Sequence, residues 1–455
     1  MNRSLITSLA ILLAAGCLQA QTAPAADQTP TALTTDQNGN KLGLFSRPVM
    51  LYDDGNTAVH FYGLIEGTLG YATNQSATNN TTFGFQVAWF SGNRYGFDID
   101  HAVDFGNQIG LPGLKVISKL EGEYELPSGG FDTDNTVFNR DCWVGFYSDT
   151  LGKLTFGRQN TLTRDFTQTW GDAYGTQDVV LKEGGYSNVN NFKQFIFYSA
   201  APGGTRSDSS IVWKKKYGEH IVAGLSYGFS YKGAGGSADP GAGGSLPGQP
   251  GLGASQQASL AFNRLQIGNG LLSFNVNYDR GDVSDLIHQA ELVGGDYVIG
   301  MFRLNAGYVH YTAQQGANNS ANRRTDNSWT VSTDLSLTKR TTLALGFVRF
   351  DGRNAGTNAS GVVLNPFFGN TSTVTNATEV NGGKATTFGS IMYSPDRNLD
   401  LYVAFDYMKA IGAWKVGDAL GNNTSSASGA GTNVYGVGEP AKGVTEIAAG
   451  LRFKF

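Results

Sequence analysis

Beyond Gln21 no stretch of this chain sustains a helical repeat or reaches the roughly 18 consecutive apolar residues of a spanning helix. What recurs is alternation of period two, the signature of strands with two unlike faces. In Ser328–Arg340 the row Trp329, Val331, Thr333, Leu335, Leu337 opposes Thr330, Ser332, Asp334, Ser336, Thr338. Leu272, Phe274, Val276 and Tyr278 oppose Ser273, Asn275, Asn277 and Asp279, and Leu399, Leu401, Val403, Phe405, Tyr407 oppose Asp400, Tyr402, Ala404, Asp406. Ile221–Phe229 behaves in the same way. One face is oily and the other small or polar.

Two architectures write this pattern. A soluble sandwich turns the oily face inward, whereas a transmembrane barrel turns it to lipid and lines a wet lumen with the polar one. Connection lengths separate them. Ser148–Lys153, Leu337–Thr341 and Ser394–Leu399 are short, while Gly233–Ala254, Gln314–Asn327, Asp351–Lys384 and Gly412–Lys442 are long and low in complexity. Short and long connections alternate, as in an outer-membrane barrel with tight periplasmic turns and extended external loops. Tyrosines at strand ends, such as Tyr227 and Tyr231 or Tyr308 and Tyr311, suit interfacial girdles. The fold class expected is therefore all-β, an antiparallel up-and-down transmembrane β-barrel.

Composition agrees. Among 455 residues, aromatics reach 12% and charged residues only 15%, which excludes disorder for most of the length. A formal net charge of -4 gives no reason to expect nucleic acid as a partner. Arg3 followed by the uncharged Leu5–Ala15 reads as a signal peptide. Cleavage after Leu18-Gln19-Ala20 starts the mature chain at Gln21; a rival site at Ala14-Ala15-Gly16-Cys17 resembles a lipoprotein box and would leave Cys17 lipidated. With cleavage after Ala20 only Cys142 remains, so neither an intrachain disulfide nor a zinc pair is expected. The domains expected are a signal peptide over 1–20, a flexible lead-in over 21–57 holding Pro24, Pro30 and Pro48, and one barrel domain over 58–455.

Seventeen candidate strands run from 58–72 to 444–455, with the 193–202 and 209–217 pair the weakest. A bacterial barrel takes an even number, so about sixteen are expected. No catalytic or metal constellation accompanies them. The histidines, His60, His101, His220, His288 and His310, sit in no catalytic motif, and the glycine run around 233–253 is not followed by the Lys-Ser/Thr of a phosphate loop. No enzyme activity, metal or cofactor is expected.

Several short segments, in order along the chain, resemble the Gram-negative general diffusion porins, in particular the β-proteobacterial branch. They are Phe61-Tyr62-Gly63-Leu64-Ile65-Glu66-Gly67, Asn93-Arg94-Tyr95-Gly96-Phe97, Gly113-Leu114-Lys115-Val116, Phe138-Asn139-Arg140-Asp141-Cys142-Trp143-Val144-Gly145, Leu151-Gly152-Lys153-Leu154-Thr155-Phe156-Gly157-Arg158-Gln159 and the terminal Gly450-Leu451-Arg452-Phe453-Lys454-Phe455. The resemblance is collinear over 58–200 and 385–455; the middle agrees in strand pattern alone.

That resemblance implies an outer-membrane channel for passive diffusion of small hydrophilic solutes and ions, a homotrimer in outer-membrane lipid. The main alternative is a substrate-specific channel of about eighteen strands. It also implies a loop folded into the lumen, here Thr161–Asn191, carrying Asp165, Asp172, Asp178 and Glu183 against a basic wall of Arg94, Arg140 and Arg158. Parity places Arg94 with Gly96, on the lumen row. Arg158 shares parity with Leu154 and Phe156, so a bulge at Gly157 or a place beyond the apolar band is required of it, and Arg140 stands between wall and rim. In the related porins an arginine often follows in the next strand, where this chain reads Phe195-Ile196-Phe197-Tyr198. With that arginine missing, a weak cation preference is expected. Phe455, Phe453 and Leu451 share the outer face of the last strand, and the resemblance implies that the assembly machinery reads them.

Overall fold

The computed structural model describes residues 48–73, 81–86, 88–133, 135–171, 206–229, 254–283, 286–314, 323–357, 376–413 and 443–455. Its strands are β1 (Val49–Asp53), β2 (Thr57–Ala72), β3 (Thr82–Gln86), β4 (Asn93–Ala102), β5 (Lys115–Tyr124), β6 (Cys142–Ser148), β7 (Gly152–Asn160), β8 (Arg206–Tyr217) and β9 (Ile221–Gly228). There follow β10 (Ser255–Ile267), β11 (Gly270–Val283), β12 (Leu286–Ile299), β13 (Phe302–Ala313), β14 (Arg324–Thr338), β15 (Thr341–Thr357), β16 (Asn376–Tyr393), β17 (Leu399–Gly412) and β18 (Gly443–Lys454).

Neighbours in sequence pair antiparallel from β4 to β18, and β18 returns to pair with β2, from Glu446 opposite Ala72 to Lys454 opposite Leu64. The sheet therefore closes on itself. Its eighteen elements make sixteen rows, because β3 and β4 lie end to end along one edge of β2 and β1 continues the row of β18 along the other. Sixteen rows rule out the eighteen-strand alternative. Of the seventeen candidate segments, 193–202 lies outside the described residues, and β7 pairs directly with β8, which leaves no row between them. Residues 49–53, assigned from sequence to the lead-in, form β1; four consecutive apolar residues after Pro48 carry no alternation that would have marked them.

Burial inverts the soluble pattern. On β14 the polar row Arg324, Asp326, Ser328, Thr330, Ser332, Asp334 is buried, while Trp329 and Val331 are 41% and 48% exposed. A sandwich would have buried the second pair and wetted the first. Outward rows of the same kind run along β6 (Val144, Phe146), β13 (Leu304, Tyr308) and β17 (Phe405, Tyr407). Each apolar side chain given to hydrocarbon instead of water contributes about 1.5–3 kcal/mol, which makes register costly to slip. A one-residue shift would turn every charge to lipid.

Short turns such as 149–151, 218–220, 300–301 and 339–340 gather at one end of the barrel, and the long connections at the other. Asp351–Lys384, expected as loop, is partly strand: β15 runs on to Thr357 and β16 begins at Asn376. Beyond the apolar band water lies on both faces, so pairing continues there without alternation. The closing seam is tight. Gly63 N–H donates to the Phe455 carbonyl at 2.9 Å and Phe455 N–H to Gly63 at 3.1 Å. The Phe455 ring lies over Gly63, where any Cβ would collide with it, and meets Phe61 and Phe453 at 5.8 Å between centroids.

Candidate constriction site

After β7 the chain turns into the lumen as a helix, α1 (Leu162–Thr169), whose N-cap Thr161 accepts a hydrogen bond from Arg164 N–H. Leu162, Phe166 and Trp170 recur at helical spacing and form one buried cluster with Val212, Val222 and Ala261 of β8, β9 and β10. Polar bonds fix both ends. Leu162 N–H donates to Gln257 Oε1 at 2.7 Å, and the Thr163 hydroxyl donates to Asp279. Asn275 Nδ2 donates to the carbonyls of Trp170 and Gly171 at 2.6 and 2.7 Å, taking up acceptors that the helix end leaves open. The helix thus lies along the inner wall of β8–β11, clamped by side chains of the lumen row.

That clamp decides where the helix's charges go. The Asp165 carboxylate faces the wall, accepting from Lys214 Nζ at 2.6 Å and from Asn160 Nδ2 at 2.9 Å. Burial raises its pKa, but Lys214 and the two hydrogen bonds outweigh it and hold the carboxyl below its ordinary value. Arg164 is 5% exposed and lies within electrostatic reach of Arg140, Arg94 and Asp141. Burial first, and those two arginines second, push its guanidinium down to about 10, so it stays charged at neutral pH.

On the wall, Arg94 of β4 stands directly opposite Glu123 of β5, with its Nε–H donating to the Gly92 carbonyl at 2.8 Å. Arg140 bridges Glu121 and Glu123, and its backbone N–H donates to the Glu121 carbonyl at 3.1 Å, so the residue is built into the wall. Glu121 also accepts from the Tyr62 hydroxyl at 2.8 Å. Arg206, the first residue of β8, is 8% exposed and interacts electrostatically with Arg140, Arg164 and Asp141. Arg94, Lys119, Arg140, Arg164 and Arg206 thereby share one region of the lumen with Glu121, Glu123, Asp132 and Asp141. Farther along β4 and β5, Asp98–Lys119 at 3.6 Å and Asp100–Lys115 at 2.8 Å continue as a ladder of pairs.

Of the residues expected from sequence, the structure brings Arg94 and Arg140 together. Arg158 stands apart from that pair on the neighbouring strand, within electrostatic reach of Arg206. Gly157 adopts φ +130° and the pairing shifts between Gly157 and Gln159, so the required bulge is present, yet Arg158 pairs opposite Cys142 on the outer row. There it forms an ion pair with Asp208 and donates to the Asn139 carbonyl at 2.8 Å. Asp165 is on the inward segment but turned to Lys214. Asp172, Asp178 and Glu183 lie outside the described residues, as do 195–198. The row that follows β7 is β8, and Arg206 is its first residue.

Sequence reasoning passed over Arg164, Arg206, Glu121 and Glu123. The spacing of Leu162, Phe166 and Trp170 could have placed Arg164 off the packed helix face. For Arg206 no signal was available, since Arg206-Ser207-Asp208-Ser209-Ser210 does not alternate.

The profile of the family described as Gram-negative porin matches residues 7–410 of the chain. An outer membrane porin protein of Bordetella pertussis is 22% identical over 279 residues, 56% of this chain and 64% of that relative, so the chain spans under two thirds of the relative's length. Among solved structures, the anion-selective porin from Comamonas acidovorans superposes with a TM-score of 0.59 at 16% identity, over 88% of this chain and 100% of that one. The outer-membrane expressed OmpT of Vibrio cholerae gives 0.53 at 14% identity, over 90% and 100%.

Proposed function

We propose, from the premise that this chain belongs to the Gram-negative porin family, that it forms a water-filled channel through the outer membrane for small hydrophilic solutes and ions. The observation that carries this reading is a closed barrel whose inner rows are polar and charged, narrowed by a helix clamped against the wall. No covalent chemistry is required of such a site. Solutes are sorted by width and by the few charges they pass at close range.

Five cations, the four arginines and Lys119, against four carboxylates make the described part of the constriction lean basic. Two of those carboxylates, Glu121 and Glu123, are already bound by Arg140. The weak cation preference expected from sequence counted Asp165, Asp172, Asp178 and Glu183 against a wall with no arginine after the loop; three of those carboxylates lie outside the described residues, and Arg206 adds a cation that the count lacked. A weak anion preference follows, strongest in dilute salt, where the screening length grows from about 8 Å at 0.15 M to about 30 Å at 0.01 M. Planar bilayers test both statements at once. Stepwise conductance with a reversal potential of anionic sign is the expected result; a silent bilayer would sink the channel reading, and a cationic sign would sink the selectivity reading alone.

Assembly completes the proposal. The apolar outer faces of β2 and β18 meet at the seam, where Leu451 and Phe453 are exposed and Phe455 closes the last pairing. We read this surface as the trimer contact, and the terminal residues as the signal taken up by the assembly machinery. Outer membranes should yield a heat-labile species of three chains on mild-detergent gels, and deleting Phe455 should lower its amount severalfold while export continues. A monomer in the wild type, or full trimer levels in the truncated chain, would count against the respective half.

A further inference from the structure

We infer that residues 88–92 are a second inward constriction element, latched by Glu66, and that Glu66 is the positioning residue for Arg94 and for the channel's width. The inference rests on the channel reading above.

The row formed by β3 and β4 is broken in its middle. β3 pairs with Thr68–Ala72 of β2 and β4 with Thr57–Leu64, which leaves the intervening edge of β2 without a strand. Residues 88–94 do not alternate; all of them are buried. Trp89 and Phe90 pack with Met392, Tyr402, Ala404 and Ala448, which lie on the lumen rows of β16, β17 and β18. The chain has left its own row: its backbone lies at Glu66 on the inner face of β2, and the Trp89 and Phe90 side chains reach the lumen rows of β16, β17 and β18. Among the described residues two inward segments therefore narrow the lumen, and α1 packs against a different set of strands from this one.

What holds the excursion is a single carboxylate. Glu66 Oε1 accepts from Trp89 N–H at 2.8 Å and Phe90 N–H at 2.7 Å, Oε2 from Ser91 N–H at 2.9 Å, and Oε1 again from the Tyr402 hydroxyl at 2.7 Å. Successive backbone N–H groups turned to one anion form a nest. The Glu66 N–H, lacking a ladder partner, donates to Asn93 Oδ1. Arg452 Nη1 donates to Ser91 Oγ at 3.1 Å and tethers the far side of the turn. The turn then delivers its last carbonyl, that of Gly92, to Arg94, at a place where a Cβ would collide with the Glu123 carboxylate. Glu66 thus acts on Arg94 through the turn, without touching it.

Without the acceptors of Glu66, three N–H groups would be left unpaired, and unmade bonds of that kind are costly. The nearest alternative is the open edge of β2, so the segment should retreat into its row, widening the lumen and freeing Arg94. Glu66→Gln cannot accept three N–H bonds in the same way. Its single-channel conductance is expected to rise by about half, with larger neutral sugars admitted in liposome swelling. Its reversal potential should move toward cations, although the substitution removes a negative charge. A purely electrostatic or purely structural role gives the opposite shift or none. An Glu66→Gln barrel that is heat-stable and conducts as the wild type does, or turns more anionic, overturns the inference.

Should Glu66→Gln fail to reach the membrane, Tyr402→Phe and Trp89→Ala are read in its place. Each is expected to raise conductance, and unchanged conductance in both overturns the inference. A wild type that conducts while the variants match it refutes this inference alone, whereas a silent wild type refutes it together with the channel reading.

Discussion

Replacing Arg164 and Arg206 together by glutamine is expected to invert the sign of the channel's ion preference. The described constriction holds Arg94, Lys119, Arg140, Arg164 and Arg206 with Glu121, Glu123, Asp132 and Asp141, and the double substitution leaves three cations facing four anions. The helix is held by Leu162, Thr163 and Trp170 against Gln257, Asp279 and Asn275. The change should therefore be one of charge, with conductance altered far less than selectivity. Reversal potentials across a salt gradient read it directly. As a control, Lys216→Gln near the short-turn end removes one positive charge from an exposed site remote in the strand from Arg206. At about 0.15 M salt, charges farther than ~8 Å are largely screened, so that control should leave the potential in place. An unmoved potential in the double variant would show that the selecting charges lie elsewhere.

The second large effect concerns Arg140→Met. Glu121 is 3% exposed and would lose its closest cation, as would Glu123 beside it. Removing one partner of a buried pair typically costs about 3–5 kcal/mol, because the charge left behind keeps its desolvation penalty. Two carboxylates are left behind here, Glu123 with Arg94 and Arg206 in reach and Glu121 with Lys119 at 4.0 Å. The temperature at which the folded band converts to the unfolded one on gels should drop clearly. Adding Glu121→Gln should restore part of the loss, since the orphaned charge is then removed as well. If the single variant melts with the wild type, the pairs contribute little to stability.

How much of this was legible in the sequence follows from what faces lipid. Rows with an uninterrupted outer face of apolar residues, such as β11, β14 and β17, announced themselves by alternation, because a charge there is costly in hydrocarbon. The inner face is under no such rule, and the failures cluster on it. Trp89 and Phe90 read as more strand because they are apolar, yet they are apolar toward the lumen. Arg140 and Glu121 become a site only when the irregular stretch before β6 is pinned to β5 by backbone bonds, which no local pattern encodes. Arg158 carried the family motif and still fell on the outer row, since the bulge at Gly157 did not turn it inward. Asp165 was legible as a charge on the inward segment but not as one spent on Lys214.

One feature of the seam bears on how the chain may be cut and rejoined. Phe455 bonds to Gly63, and Val49 pairs opposite Phe61 in the same row, so a single residue opposite Tyr62 would span from the last strand to the first. Strand residues advance by about 3.3 Å each, and a linker of that size keeps both pairings. The polypeptide from 49 to 455 is in effect a ring opened at one point. A circular permutant opened at the 268–269 turn would carry its new ends at a tight, exposed connection and keep every neighbour relation of the sheet. Conversely, a peptide fused behind Phe455 has nowhere to go along the row without displacing β1, so epitope tags belong in the long loops.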